Sequence, residues 1–213
     1  MYKSIRSKFK QFVEINFWRY KKIKEGELTN WHYKQFYTDY FGLEESFYNN
    51  KIILDIGCGP RGSLEWADMS KERYGLDPLA DKYLRMGAHK HKMTYVKAYS
   101  ESIPFNDSFF DVICSFNSLD HVEDIGKTIL EIRRTLKPGG VFLLIVDVHA
   151  YPTPTEPQSI KWDFCDTYFP DYKLLIENKY KTKELGKIYA NARARIPADK
   201  NDKSGLLVCM LEK

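Results

Sequence analysis

No stretch of this 213-residue sequence approaches the roughly 20 consecutive apolar residues that a bilayer-spanning helix needs. The N-terminus also lacks the uninterrupted apolar run of a secretory leader, so the expectation is a cytoplasmic protein. Cysteine is scarce. The four residues, Cys58, Cys114, Cys165 and Cys209, include no C-x-x-C pair and have no histidine at metal-ligand spacing, so they read as reduced core thiols and no metal is expected. Internal repeats and an appended RNA-binding module are missing as well. Acid is almost absent from residues 1–24, where eight basic side chains face one acidic residue, Glu14, a local balance of +7. Because the whole chain nets +4, the remainder carries about −3, a body unsuited to coating nucleic acid.

From Lys51 onward, short aliphatic runs alternate with amphipathic ones, which is the signature of parallel α/β units. Strand candidates are 51–56, 73–77, 93–98, 110–116 and 141–148. Between them the clearest helix is 124–136, where Ile125, Ile129, Ile132 and Leu136 share a face before "KPGG" ends it. Residues 62–67 and 79–87 are shorter helix candidates. Pro152, Pro154 and Pro157 imply an extended loop after the fifth strand, followed by a helix over 159–169. Runs at 172–180 and 206–213 pair as a terminal antiparallel hairpin across a long basic insertion. The first 45 residues are expected to form a helical cap or extension on a domain spanning 46–213.

Three glycines, Gly57, Gly59 and Gly62, follow the first strand at G-x-G-x-x-G spacing, where a doubly wound sheet binds its ligand. A nicotinamide cofactor would place pyrophosphate there, with Asp77 on the ribose. Asp55, two residues before Gly57, argues against it. A carboxylate about 5 Å from a phosphate charge is unfavourable by about 3 kcal/mol at an effective dielectric near 20. A cationic adenosyl ligand reverses the sign, and S-adenosylmethionine carries an ammonium and a sulfonium and no phosphate. Asp55 as a simple loop anchor and Asp77 as a simple turn residue remain open.

"LDIGCGP", "GLDP", "ESIPFNDSFFDVI" and "LKPGGVFLL", in this order across residues 50 to 148, resemble the class I S-adenosylmethionine-dependent methyltransferases of small-molecule and glycan type. The resemblance implies a Rossmann-like α/β fold in a single domain, with a seven-stranded, mostly parallel sheet closed by an antiparallel hairpin. It implies S-adenosyl-L-methionine as cofactor, with Asp55, Gly57, Cys58 and Gly59 around the methionine part and Asp77, beside Pro78, on the ribose hydroxyls. Adenine falls near Tyr99, Ser100 and Glu101, and Asn117 lies at the end of the fourth strand. Two positions depart from the family. Arg61 stands where many relatives have glycine and must then accept a glycine-like backbone angle; Tyr99 stands where many have an adenine-binding aspartate.

Methyl transfer is an in-line displacement that depends on alignment, with a base needed only for a poorly acidic acceptor. The loops after the fourth and fifth strands supply His121, Asp120 and His149 as candidate catalytic groups, an imidazole beside a carboxylate being a workable base near neutral pH. Asp147, His149 and Glu156 also read as hard-metal ligands, though without fixed spacing. Cys114 lacks the context of a cytosine-C5 nucleophile, and "FNSLD" lacks the element that grips a flipped base. "SLDHVED" with "DVHAYPTPTEPQSI" is similar to methyltransferases of bacterial surface-glycan clusters, which implies a small-molecule or sugar acceptor methylated at oxygen. Lys181, Lys183, Lys187, Arg193 and Arg195 would then meet phosphate on an activated or lipid-linked sugar, or are solvated coil.

Phe9, Phe12, Val13, Phe17 and Tyr20 form one helical face with lysines opposite, suited to an anionic membrane surface. Alternatively the segment packs on the sheet or on a second copy in a homodimer, with Trp31, Tyr33 or Tyr37 over the cofactor. An NAD-dependent oxidoreductase and a degenerate fold serving as a scaffold are the rival functions.

Overall fold

The computed structural model describes residues 2–30, 32–182, 188–199 and 201–213. Seven strands form one sheet in the order β3-β2-β1-β4-β5-β7-β6: β1 (Ile52–Ile56), β2 (Glu72–Leu76), β3 (Thr94–Val96), β4 (Phe110–Phe116), β5 (Leu136–Val148), β6 (Lys173–Lys181) and β7 (Gly205–Glu212). The first five are parallel, and β7 runs antiparallel to both β5 and β6. This is the expected Rossmann-like sheet with its reversed final hairpin. Strand order reverses between β1 and β4, so the loops leaving their carboxyl ends part and open a crevice.

Strand alternation divides the core into two layers. Leu54, Ile56, Ile113, Phe142 and Leu144 face one layer, which is closed by Ile129 and Ile132 of α4 (Ile125–Thr135) and by Phe164 of α5 (Phe164–Tyr168). Helix α4 starts on an Asp124 cap that accepts the Lys127 N–H at 3.0 Å, satisfying one of the orphan donors of its first turn. Ile53, Val112, Cys114, Leu143 and Ile145 face the other layer, where Phe36, Tyr37, Tyr40, Phe41 and Tyr48 cover the sheet. These aromatics come from α2 (Lys34–Tyr37) and from two 3₁₀ turns, Asp39–Phe41 and Glu45–Tyr48. The N-terminal basic segment is a single helix, α1 (Tyr2–Glu25), and the helix expected at 79–87 forms as α3 (Ala80–Arg85). No described helix is long and apolar enough to cross a membrane.

Three expectations about elements change. Residues 62–67 form turns, with the N–H of Glu65 donating to Gly62 O at 2.9 Å and that of Ala67 to Leu64 O at 3.0 Å. Aromatics from upstream already fill this side of the sheet, so Leu64 and Ala67 are buried with no room for a full amphipathic helix. The helix of 159–169 contracts to α5, because residues 159–161 run without helical bonding toward Ile160, which is buried beneath the sheet. In the late insertion, α6 (Ile188–Ala194) precedes a bridge between Tyr180 and Pro197.

Gly57 has φ 73°, and a Cβ built on it overlaps the Ser118 side chain, whose hydroxyl donates to Ile56 O at 2.7 Å. Strand β1 and the end of β4 therefore lock together only through a residue without a side chain. Gly57→Ala is expected to destabilise the fold by about 2–4 kcal/mol, from left-handed strain and overpacking together, read as a lowered urea midpoint at unchanged m-value.

Candidate active site

A cavity of about 900 Å³, within the usual range for small-molecule sites, opens at the reversal point of the sheet. Gly57, Cys58 and Gly59 form its floor; Asp77 and Pro78 enter from the end of β2; Tyr99, Ser100 and Glu101 follow β3; Asn117 and His121 follow β4. Ten of the thirteen residues expected at the site thus line one cavity. Asp55, Asp120 and His149 do not.

Asp55 lies beneath the glycine loop, in contrast to the expectation that its charge faces the ligand. Its carboxylate accepts the Tyr37 hydroxyl at 2.9 Å and the Ser63 hydroxyl, and it is 2 % exposed. Burial pushes its pKa up to about 7 against the opposing effect of those two bonds. Side chains alternate along β1, so Asp55 shares the layer of Ile53 and anchors the loop from below.

The acid that faces the cavity is Asp77, which accepts the Leu79 N–H at 2.8 Å and is held above its ordinary range by burial and then by Glu14. Glu14 projects from α1 into the same cavity and accepts the Tyr83 hydroxyl at 3.0 Å. The Asp77–Glu14 pair keeps negative charge even with one proton held on it, and that charge repels a pyrophosphate. No helix begins in the turns after Gly62, so the N-terminal dipole that would hold one is missing too. The cations on the wall are engaged: Lys10 lies 3.2 Å from Glu123, and Lys21 and Arg61 lie 3.6 and 2.6 Å from Glu25. The inference of a cationic adenosyl ligand therefore stands on Asp77 and Glu14, whereas Asp55 contributes only the shape of the loop.

Arg61 takes no left-handed angle; that conformation falls on Gly62, φ 68°. Its guanidinium bonds Glu25, donates to Thr29 O at 3.1 Å and lies 5.5 Å above the Trp18 ring. The departure at this position is thus a latch that holds α1 across the mouth. Tyr99 is similarly tied, its hydroxyl accepting Gln11 Nε2 at 2.7 Å. Ser100 bonds the Thr128 hydroxyl at 2.9 Å, and Glu101 accepts the N–H groups of Glu123 and Asp124 at 2.8 and 3.1 Å, bracing the start of α4.

At the opposite end, Asn117 holds a left-handed backbone, φ 54°, at the tip of β4. His121 faces the cavity with Nε2 3.9 Å from Asp120 Oδ2. Asp120 is 1 % exposed and both its oxygens lack a hydrogen-bond partner, as does the buried Nε2 of His149. One ligating atom each from Asp120, His149 and Glu156 lies within 4.8 Å of the others. Asp147 stands near, its pKa pushed up to about 6 by burial and then by Asp120 and Glu156. Thr155, from the same loop, reaches the cavity wall. The alternative metal reading on Asp147, His149 and Glu156 changes to a trio in which Asp120 takes the place of Asp147.

The described basic side chains of the late insertion do not gather at the cavity. Arg193 and Arg195 lie over the rings of Phe36 and Tyr40, and Lys181 pairs with Asp202 at 3.5 Å. Lys183, Lys187 and Trp31 fall outside the described residues. Tyr33 lines the cavity, whereas Tyr37 bonds Asp55. The sequence reading missed the contribution of α1: Ser7, Gln11, Glu14, Trp18, Lys21 and Glu25 all line the cavity. Their spacing of four and three residues was a readable signal, since it puts them on one helical face.

Comparison with known proteins agrees with this geometry. Residues 54–144 match the family model described as a methyltransferase domain. The chain is 35% identical over 103 residues to a sterol 4-C-methyltransferase of Caenorhabditis elegans, covering 45% of this chain and 30% of that protein. It is 26% identical over 140 residues to a chloroplastic tocopherol O-methyltransferase of Arabidopsis thaliana, covering 59% and 40%. Among solved structures, an S-adenosylmethionine dependent methyltransferase from Mesorhizobium loti superposes with a TM-score of 0.54 at 17% identity, over 80% of this chain and 94% of that one. The chain spans only about a third of the length of the curated relatives it matches.

Burial raises both Asp55, to about 7, and Asp77. Above the unfolded carboxylate range near about 4, the folded chain therefore holds protons that the unfolded chain has released. Stability without ligand should decline as pH rises from about 4 through about 7. Denaturant titrations at pH 5.5 and 8 should show the lower midpoint at pH 8, and Asp55→Asn should shrink the difference.

Proposed function

We propose that this chain, whose residues 54–144 match the model of a methyltransferase domain, is a class I S-adenosylmethionine-dependent methyltransferase that methylates a small-molecule or glycan hydroxyl. The observation that carries this reading is the continuity of one cavity, from the Gly57–Gly59 floor and Asp77 to Asn117, His121 and Thr155. A ligand held at the first end has the groups of the second within the same enclosure.

The residues present fit S-adenosylmethionine. Asp77 would accept the ribose hydroxyls, Gly57, Cys58 and Gly59 leave room for the backbone to approach the amino-acid portion, and Glu14 adds negative potential beside a cationic ligand. Tyr99 and Ser100 border the space left for adenine. When bound, the cofactor supplies an electrophilic methyl group on its sulfonium.

The chain's own share of the chemistry lies at the ends of β4 and β5. His121 presents its imidazole to the cavity, with the Asp120 carboxyl 3.9 Å from Nε2, near enough to favour the imidazolium formed when the acceptor hydroxyl gives up its proton. Ionised carboxylates only accept hydrogen bonds. Glu123, with Asn117 and Thr155 on the same wall, therefore suits an acceptor that offers several hydroxyl donors, as a sugar does. The two departures that left a scaffold reading open are explained by the attachment of α1, through Arg61 to Glu25 and Tyr99 to Gln11.

Calorimetry should show binding of S-adenosylmethionine and of its demethylated product, and none of NAD; the reverse would overturn the reading. Asp77→Asn should weaken cofactor binding about 10- to 100-fold, the worth of a charge-assisted hydrogen bond. On a sugar acceptor that turns over, His121→Ala should lower kcat by about 10²- to 10⁴-fold with cofactor affinity unchanged.

A further inference from the structure

Helix α1 packs Ile15 and Trp18 inward and turns Val13 and Phe17 to the cavity edge, yet it leaves a further apolar stripe on its outer face. Its polar line, Ser7, Gln11, Glu14 and Lys21, turns inward to the cavity, whereas Phe9, Phe12, Tyr20 and Ile23 turn outward, exposed by 54, 63, 60 and 85 %. A surface helix normally buries its apolar stripe and hydrates its polar one. Here the bonds of Gln11 to Tyr99, Glu14 to Tyr83 and Lys10 to Glu123 set the rotation of the helix and leave the apolar stripe facing out. Exposed Lys8 and Arg19 flank the stripe on one side and Lys24 on the other.

We propose that this outer face of α1 docks in the plane of an anionic lipid surface, with the aromatic and aliphatic side chains at the headgroup–acyl boundary and the flanking cations among the headgroups. Charge decides between a bilayer and a second copy of the chain. Lys8, Arg19 and Lys24 give this exposed face a positive charge, which an anionic surface attracts and which two copies stacked on this face would set against itself. Because the opposite face of the same helix walls the cavity, docking holds the cavity one helix diameter, roughly 10 Å, from the lipid surface. Resting on the methyltransferase reading, the acceptor is then one carried at a lipid surface.

The test is sedimentation of the full chain with vesicles of phosphatidylcholine plus phosphatidylglycerol, and with phosphatidylcholine alone. Binding should need the anionic lipid, weaken with salt as expected for screened charges, and fall at least about tenfold in Phe12→Asp/Ile23→Asp, since each buried apolar group contributes to interfacial affinity. Neither substituted residue lines the cavity, so the cofactor affinity of the double variant should match that of the wild type and show that it is folded. Failure to bind anionic vesicles, or equal binding by the double variant, overturns the proposal. So does a dimer in light scattering that the same two substitutions convert to monomer. Lipid binding by a chain that binds no S-adenosylmethionine would overturn the methyltransferase reading and leave the docking surface standing.

Discussion

One buried carboxylate joins three parts of the molecule. Asp55 sits at the end of the central strand β1, Ser63 belongs to the turns after the glycine loop, and Tyr37 comes from the aromatic segment that covers the sheet. Without water around it, the carboxylate needs both hydroxyls, because a buried acceptor left unpaired is costly. The positions of the loop and of the aromatic segment are therefore not independent. The cavity floor takes its shape from this coupling, and the burial that creates it also pushes the acid toward a pKa of about 7.

A second layer of constraint runs through α1. The helix is tied at both ends: Arg6 and Lys10 to Glu123 near the acceptor side, and Glu25 to Arg61 beside the glycine loop. Between them, Gln11 and Glu14 reach the two cofactor-side positions Tyr99 and Asp77. Exposed ion pairs contribute little singly, but these share one rigid helix and together determine which face looks inward. A segment that reads as an amphipathic appendage becomes the wall of a binding site, and its apolar stripe is left on the outside.

The sheet was legible because strand alternation and strand order follow from local pattern and turn chemistry. β4 begins and ends where its aliphatic run does, and α4 stops at Thr135, one residue short of its expected end. Residues 62–67 were misread as a helix because their apolar spacing fits one; the competing fact, that Phe36, Tyr40 and Phe41 already occupy that side of the sheet, lies some 20 to 30 positions upstream. In the site, Gly57, Asp77 and Asn117 were readable from their places at strand ends. Glu14 was readable only as a member of one helical face, since nothing near it in the chain says which strand its helix will cross.

The amino-acid sequence by itself determined the α/β class, the glycine loop, the acid at the end of β2 and the strongly basic start of the chain, all of which depend on spacing over a few residues. Only the tertiary structure decided that Asp55 lies under the loop while Asp77 and Glu14 face the ligand, that Arg61 latches a helix, and that Asp120 and Glu156 meet around His149. The physical reason is range. Alternation and turn geometry act between neighbours, whereas the direction in which a charge points depends on groups brought together from far along the chain, and on the water they exclude.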